Sequence, residues 1–329
     1  MIISRTPFRI SFFGGGTDYP VWYRAYGGRV LSVTINKYSY INARWLPPFF
    51  DYKHRVRYYR QEEVNSIDEI SHPSVRECAR FLNVQDGLEV VHNADLPARS
   101  GLGSSSTFTV GLLHALSGLQ NRMPTKRELA VNAIRVEQHM IGEAVGSQDQ
   151  IAAAFGGLNY VEFGGPAEFE VTPVILSSER VNQLQEQLLL CFTGFSRTAS
   201  DIASHQISNT PHRVSELRAM DQLCREALNI LVDESADLRL FGELLNQQWS
   251  LKQKMSDLIS SAEIDSIHSA GIEAGATGAK LLGAGGGGFM LFYAPKDKHE
   301  AIRRALPENK FVPFRFEWGG SKIVYHSTG

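Results

Sequence analysis

D-L-P-A-R-S-G-L-G-S-S-S-T-F-T-V-G-L-L-H-A-L, residues Asp95 to Leu116, is the stretch whose reading decides the fold. A strand-like run, Leu88 to Val91, leads in, and the following loop opens at Pro97 and carries Gly101 and Gly103 on either side of Leu102. Ser104, Ser105, Ser106 and Thr107 then open an apolar run, Phe108 to Leu116, which predicts a buried helix. Glycines let a ligand approach the backbone where a Cβ would clash. The first turn of a helix offers unpaired N–H groups and the positive end of its dipole. Together these make an anion site suited to phosphate, and the serine hydroxyls can bond phosphate oxygens or a hard cation such as magnesium. The competing reading is a serine-capped core helix behind a flexible loop.

The rest of the chain bears on that choice. A length of 329 residues predicts two domains or one large one, and 43% hydrophobic residues supply an ordinary globular core. The formal net charge of -2 gives no nucleic-acid or membrane-surface bias. Three widely spaced cysteines, Cys78, Cys191 and Cys224, form no metal-type pair and read as reduced thiols of a cytoplasmic protein. The start, M-I-I-S-R-T-P, reads as no signal peptide, and no apolar run reaches the ~18 residues of a membrane span.

Taken in order, Ile2 to Phe13 reads as a strand, and G-G-G-T-D-Y-P, Gly14 to Pro20, ends it sharply. That turn is either ordinary or a place where Thr17 and Asp18 offer a hydroxyl and a carboxylate to a ligand. Val30 to Trp45 and His54 to Arg60 read as strands, their basic residues lining either a solvated sheet face or a pocket for a phosphorylated ligand. Ser71 to Val84 predicts a helix, and Thr125 with Glu128 has the capping-box spacing of the next one. On that helix Ala130, Ala133, Ile134, Ile141 and Ala144 form one apolar stripe, with Glu137 in its middle. A core-facing carboxylate is costly unless it is paired with an arginine or holds a cation, and the nearby phosphate loop favours the cation. Asp149 opens a short helical run behind Gly146 and Ser147, where the helix dipole favours an acid. In the second half Leu188 to Thr193 reads as a strand. Arg213 to Val232, Leu240 to Ser256 and Ile264 to Ala274 read as helices. Gly278 to Pro295 reads as strand, glycine loop and strand, with a ligand, another backbone or mobility explaining Gly285 to Gly288. Lys298 to Leu306 then reads as a helix, and Lys310 to Phe316 and Ser321 to His326 as strands.

Three blocks in this order resemble the GHMP kinases: T-P-F-R-I-S-F-F-G-G-G-T-D-Y, L-P-A-R-S-G-L-G-S-S-S and L-L-G-A-G-G-G-G-F. The second is the most specific, and the resemblance covers essentially the whole chain. It implies an α+β, two-domain fold. Residues 1–170 would form a ribosomal S5-like domain with a left-handed βαβ unit that binds ATP and magnesium, and 171–329 a ferredoxin-like domain, with the site between them. The opening block, with I-N-K-Y and L-P-P-F-F, looks like the D-glycero-D-manno-heptose 7-phosphate kinase subgroup, which implies phosphorylation of the anomeric hydroxyl for bacterial surface-polysaccharide synthesis. Where galactokinases have a glycine this chain has Phe8, and where they have Glu-His it has Gly15-Gly16, which puts galactose in doubt.

By the same resemblance, Asp149 is the catalytic aspartate that orients the acceptor hydroxyl and takes its proton, and Arg9 is its basic partner. Pro97, Gly101, Leu102, Gly103, Ser104, Ser105 and Ser106 bind the nucleotide, and Ser105 and Glu137 hold magnesium. Gly15, Gly16, Thr17, Asp18, Gly285 and Gly286 meet the sugar. Lys37 and Arg197, ahead of Arg44, Arg55 and Arg57, would take a distal phosphate. The expected partner is a small-molecule sugar or sugar phosphate, with a homodimer allowed. The alternatives are a kinase of fucose, mannose or galactose, or a sugar and ATP sensor, against which the Glu137–Asp149 pair argues. A dinucleotide oxidoreductase is disfavoured because Gly14-Gly15-Gly16 lacks the G-x-G-x-x-G spacing.

Overall fold

The computed structural model describes residues 1–98, 100–195 and 199–327. The chain opens with β1 (Ile2–Phe13), α1 (Pro20–Tyr26), β2 (Gly28–Trp45), β3 (His54–Arg57), β4 (Gln61–Val64), α2 (Pro73–Phe81), β5 (Leu88–Ala94) and α3 (Ser104–Leu119). Next come α4 (Lys126–Arg135), a π turn at Val136–Ile141, α5 (Gln148–Phe155), β6 (Leu158–Phe163), β7 (Phe169–Pro173), α6 (Ser178–Glu186) and β8 (Leu188–Phe192). The remainder is α7 (Ala199–Asn209), α8 (Val214–Val232), α9 (Arg239–Gln253), α10 (Ala262–Glu273), β9 (Gly278–Leu281), β10 (Phe289–Tyr293), α11 (His299–Ala305), β11 (Lys310–Val312) and β12 (Lys322–His326).

Two sheets organise these elements. The first has the path β12-β1-β2-β5-β3-β4, with β6 joined to β2 and β7 to β6. The second is antiparallel in the order β11-β8-β10-β9. These memberships differ from the expected division at residue 170: β7 lies in the first sheet, and β12 returns to pair with Ile2–Arg5 of β1. Sequence order misses that return because the pairing joins the two ends of the chain.

Strand β1 belongs to both halves energetically. Phe8, Ile10, Phe12 and Phe13 are buried in a cluster that also holds Leu190, Phe241 and Tyr293 of the second half. Phe241 meets Phe12 and Phe13 edge to face, with ring centroids 5.3 and 5.1 Å apart. The register of β1 against β2 slips between Pro7 and Arg9, with the extra residues in β2, next to the residue expected to be functional. Helix α3 is buried over most of its length and packs on β1 and β2, as its apolar run predicts. The three cysteines are free and buried. Among the described residues, no helix is long and apolar enough to cross a membrane.

Candidate active site

The entrance to α3 bears on the serine-cap reading of Asp95–Leu116. Its N-cap is Gly103 at φ +77°, and among the described residues no side chain caps the helix there, so the serine-cap reading fails. Gly103, Ser104, Ser105 and Ser106 line a cleft at this entrance, together with Gly101. The loop is seated by backbone: the Arg9 amide donates to the Leu102 carbonyl at 3.1 Å, and the Leu102 side chain is buried. Leu102 therefore acts by holding the loop. Pro97 is exposed and stands outside the cleft.

Arg9 reaches the same cleft from β1, just past the register slip. Its Nε and Nη2 donate to Oδ1 and Oδ2 of Asp149, each at 2.8 Å, and its Nη1 donates to the Gly101 carbonyl at 2.7 Å. Such a two-pronged contact fixes the carboxylate in plane and orientation. Asp149 lies in the first turn of α5 and lines the cleft. A Cβ on Gly103 would stand 3.3 Å from Asp149 Oδ2, so that glycine admits the acid to the helix entrance.

Asp18, Gly15 and Gly16 form the facing wall. Asp18 Oδ1 accepts from the Gly16 amide at 2.9 Å and Oδ2 from the Gln148 amide at 3.3 Å. Burial raises its pKa above the ordinary carboxylate value, the Gly16 amide opposes this, and nearby Asp149 adds to it. Thr17 is a correction. It is fully buried, and its hydroxyl donates to the carbonyls of Gly14 and Arg29 at 2.8 and 2.9 Å, so it ties the turn to β2 rather than meeting a ligand.

Glu137 is fully buried behind Ser106, whose hydroxyl donates to its Oε2 at 2.8 Å. Gln150 Nε2 donates to the same oxygen. Oε1 has no hydrogen-bond partner among the described residues. Burial pushes its pKa up to about 7, against the lowering effect of the neighbouring Thr109, Ser106 and Gln150 side chains. No arginine pairs with it among the described residues. The predicted stripe is also corrected. The helix ends at Ile141 in a π turn that contains Glu137, Gly142 follows at φ +77°, and Ala144 lies on the cleft wall. Ser105 is exposed on the cleft, and Ser106 rather than Ser105 touches the acid. An orphaned buried carboxylate oxygen beside serine hydroxyls is an oxygen-only donor set that suits a hard cation shared with phosphate.

The glycine loop of the second half overturns another expectation. The Gly286 amide donates to the Ile259 carbonyl at 2.8 Å, and a Cβ on Gly285 would meet Ile259 Cα at 2.8 Å. Another backbone, not a ligand, lies against this pair, while Gly283 and Ala284 line the cleft. Lys37 is on β2 away from the cleft. Arg44 and Arg55 pair with Glu89, and Arg57 Nε donates to Gln61 at 2.8 Å. Arg197 lies outside the described residues.

Two cations in the cleft were not foreseen. Lys252 of α9 donates to the Gly283 carbonyl. Lys280 of β9 donates to the carbonyls of Ser11 and Phe12 at 2.9 and 2.7 Å. Both line the cleft, and burial lowers the pKa of each. The sequence carried a signal for Lys252: it shares the i, i+3, i+4, i+7 stripe of Leu245, Gln248 and Trp249, all buried.

Comparison with known proteins fits this geometry. Residues 73–157 match the GHMP kinases N terminal domain and residues 219–312 the GHMP kinases C terminal model. The chain is 30% identical to the D-glycero-alpha-D-manno-heptose 7-phosphate kinase of Campylobacter jejuni, over 98% of each protein. A crystal structure of a D-glycero-D-manno-heptose 1-phosphate kinase from Bacteriodes thetaiotaomicron superposes with TM-score 0.81 at 24% identity, covering 100% of both chains. A putative sugar kinase from Campylobacter jejuni superposes with TM-score 0.73 at 27% identity, covering 98% of this chain and 97% of that one. The chain belongs to the GHMP kinases. It is an enzyme of the sugar kinase kind, a phosphotransferase with an alcohol group as acceptor, and has the two-domain α+β fold of that family.

Proposed function

We propose that the chain transfers the terminal phosphoryl group of ATP to the anomeric C1 hydroxyl of D-glycero-D-manno-heptose 7-phosphate. The observation that carries the reading is the Arg9–Asp149 pair, held at 2.8 Å at the uncapped entrance of α3. The amides of Gly101 to Ser106 receive the triphosphate, where the helix dipole favours negative charge. Asp149 accepts a hydrogen bond from the acceptor hydroxyl and takes its proton as the new phosphorus–oxygen bond forms. Arg9 fixes the plane of that carboxylate. An anomeric hydroxyl is more acidic than an ordinary alcohol, so a carboxylate is base enough. Asp18 bonds the sugar hydroxyls, and Gly15 and Gly16 let the ring approach the backbone. Ser105, Ser106 and Glu137 would hold magnesium, which when bound neutralises phosphate charge that this chemistry must otherwise offset.

The choice of heptose rests on the 30% identical relative. The test is a panel of heptose 7-phosphate, mannose 6-phosphate, fucose and galactose, each read by coupled ADP release. Preferred turnover of heptose 7-phosphate with product phosphorylated at C1 is expected. Equal rates for phosphorylated and free sugars would remove the phosphorylated acceptor from the proposal.

A further inference from the structure

We propose that Lys252 is a catalytic residue that donates hydrogen bonds to the phosphoryl group while it passes from ATP to the acceptor. This rests on the phosphoryl-transfer reading above and adds a group that neither the resemblance nor the motifs assign.

Position is the first ground. Lys252 Nζ donates to the Gly283 carbonyl, and Gly283 packs so tightly on the phosphate loop that a Cβ there would stand 2.5 Å from Gly101 Cα. The ammonium therefore sits where the loops of the two halves meet, in the cleft that Arg9, Asp18 and Asp149 also line. Unmet valence is the second ground. An ammonium has three donors, and this one, with only 6% of its residue surface exposed, meets a single carbonyl and forms no ion pair among the described residues. A buried, unpaired cation is costly, and an anion entering the cleft would offset that cost.

The neighbouring charges leave Lys252 uncompensated. Arg9 is matched by Asp149. Asp18 is held by the Gly16 and Gln148 amides, and burial disfavours its charged form. Lys280 is directed at the Ser11 and Phe12 carbonyls. In the reaction the acceptor hydroxyl gives its proton to Asp149 and its oxygen bonds to phosphorus. The bond from phosphorus to the ADP oxygen breaks, and the electron pair leaves with ADP. Lys252 keeps its proton throughout and bonds the peripheral oxygens, where charge shifts during transfer.

The full chain is assayed first with ATP, magnesium and heptose 7-phosphate. Absence of acceptor-dependent ADP release there defeats the function itself. Given turnover, K252M is expected to lower kcat about a hundredfold or more, with ATP affinity and the acceptor KM within about threefold. A kcat near the wild-type value overturns the inference alone, and so does a loss confined to the acceptor KM. K252R gives an independent readout and guards against a misfolded K252M. Burial lowers Lys252 to about 8, with Arg9 adding to this and Asp18 and Asp149 opposing it. The protonated form is the active one, so kcat/KM should fall as pH rises through about 8. Arginine stays charged, so the K252R profile should hold to higher pH. Superposed alkaline limbs would overturn the assignment. The charged groups facing Lys252 are Arg9 of β1, Asp18 of the glycine turn, Asp149 of α5 and Lys280 of β9.

Discussion

Glu137 shows how one residue can be read from a helical wheel and still need the structure for its surroundings. Its place on an apolar stripe marks it as an acid with a reason to be buried, and it is fully buried with one oxygen unpartnered among the described residues. A glutamine there keeps the shape and can still accept from Ser106, but it carries no charge for a cation. E137Q is therefore expected to raise the magnesium concentration for half-maximal activity by about tenfold or more. A magnesium titration superposing on wild type would make Glu137 a buried structural acid. The same stripe logic marks Lys252, between Trp249 and the end of α9. It escapes notice in the sequence because scattered charges on a long helix usually face water.

At the scale of elements, two irregularities build the site. The register of β1 against β2 slips between Pro7 and Arg9, with the extra residues in β2, and the helix that carries Glu137 widens into a π turn. Such turns interrupt a regular ladder and recur at functional positions. The third device is the pair of glycine loops. Gly101 has φ +80°, and a Cβ on it would stand 2.4 Å from the Leu282 carbonyl. G101A should thus cost about 1–2 kcal/mol from backbone handedness alone, read by urea denaturation. By shifting the loop it should also lower turnover about a hundredfold. A G101A protein with wild-type stability and rate would contradict the close approach of the loops.

Across the whole molecule, the halves are tied by more than the cleft. Arg29 of β2 bonds both carboxylate oxygens of Asp221 on α8, at 3.0 and 2.8 Å, and the phenylalanines of β1 pack on Phe241 of α9. The last strand, β12, covers the edge of β1 from Ile2 to Arg5. Ending the chain at Ser321 would open that edge beside the strand that carries Arg9. A melting temperature lower by roughly 5 °C or more is expected by calorimetry. An unchanged melting temperature would make the return strand dispensable.

The glycine loop before α3, the burial of Glu137, the place of Asp149 at a helix start and the family were legible in the sequence because their signals are local. They are a glycine pair before a helix, a carboxylate on an apolar stripe, and an acid at a helix start. The tertiary structure alone decided what meets them. It set Gly283 against Gly101, turned Thr17 inward to the Arg29 carbonyl, set Ile259 against Gly285 and Gly286, and brought Lys252 and Lys280 to the cleft. Most of these contacts join residues far apart along the chain. Side-chain periodicity records which face is buried, but not which distant backbone or charge will lie against it.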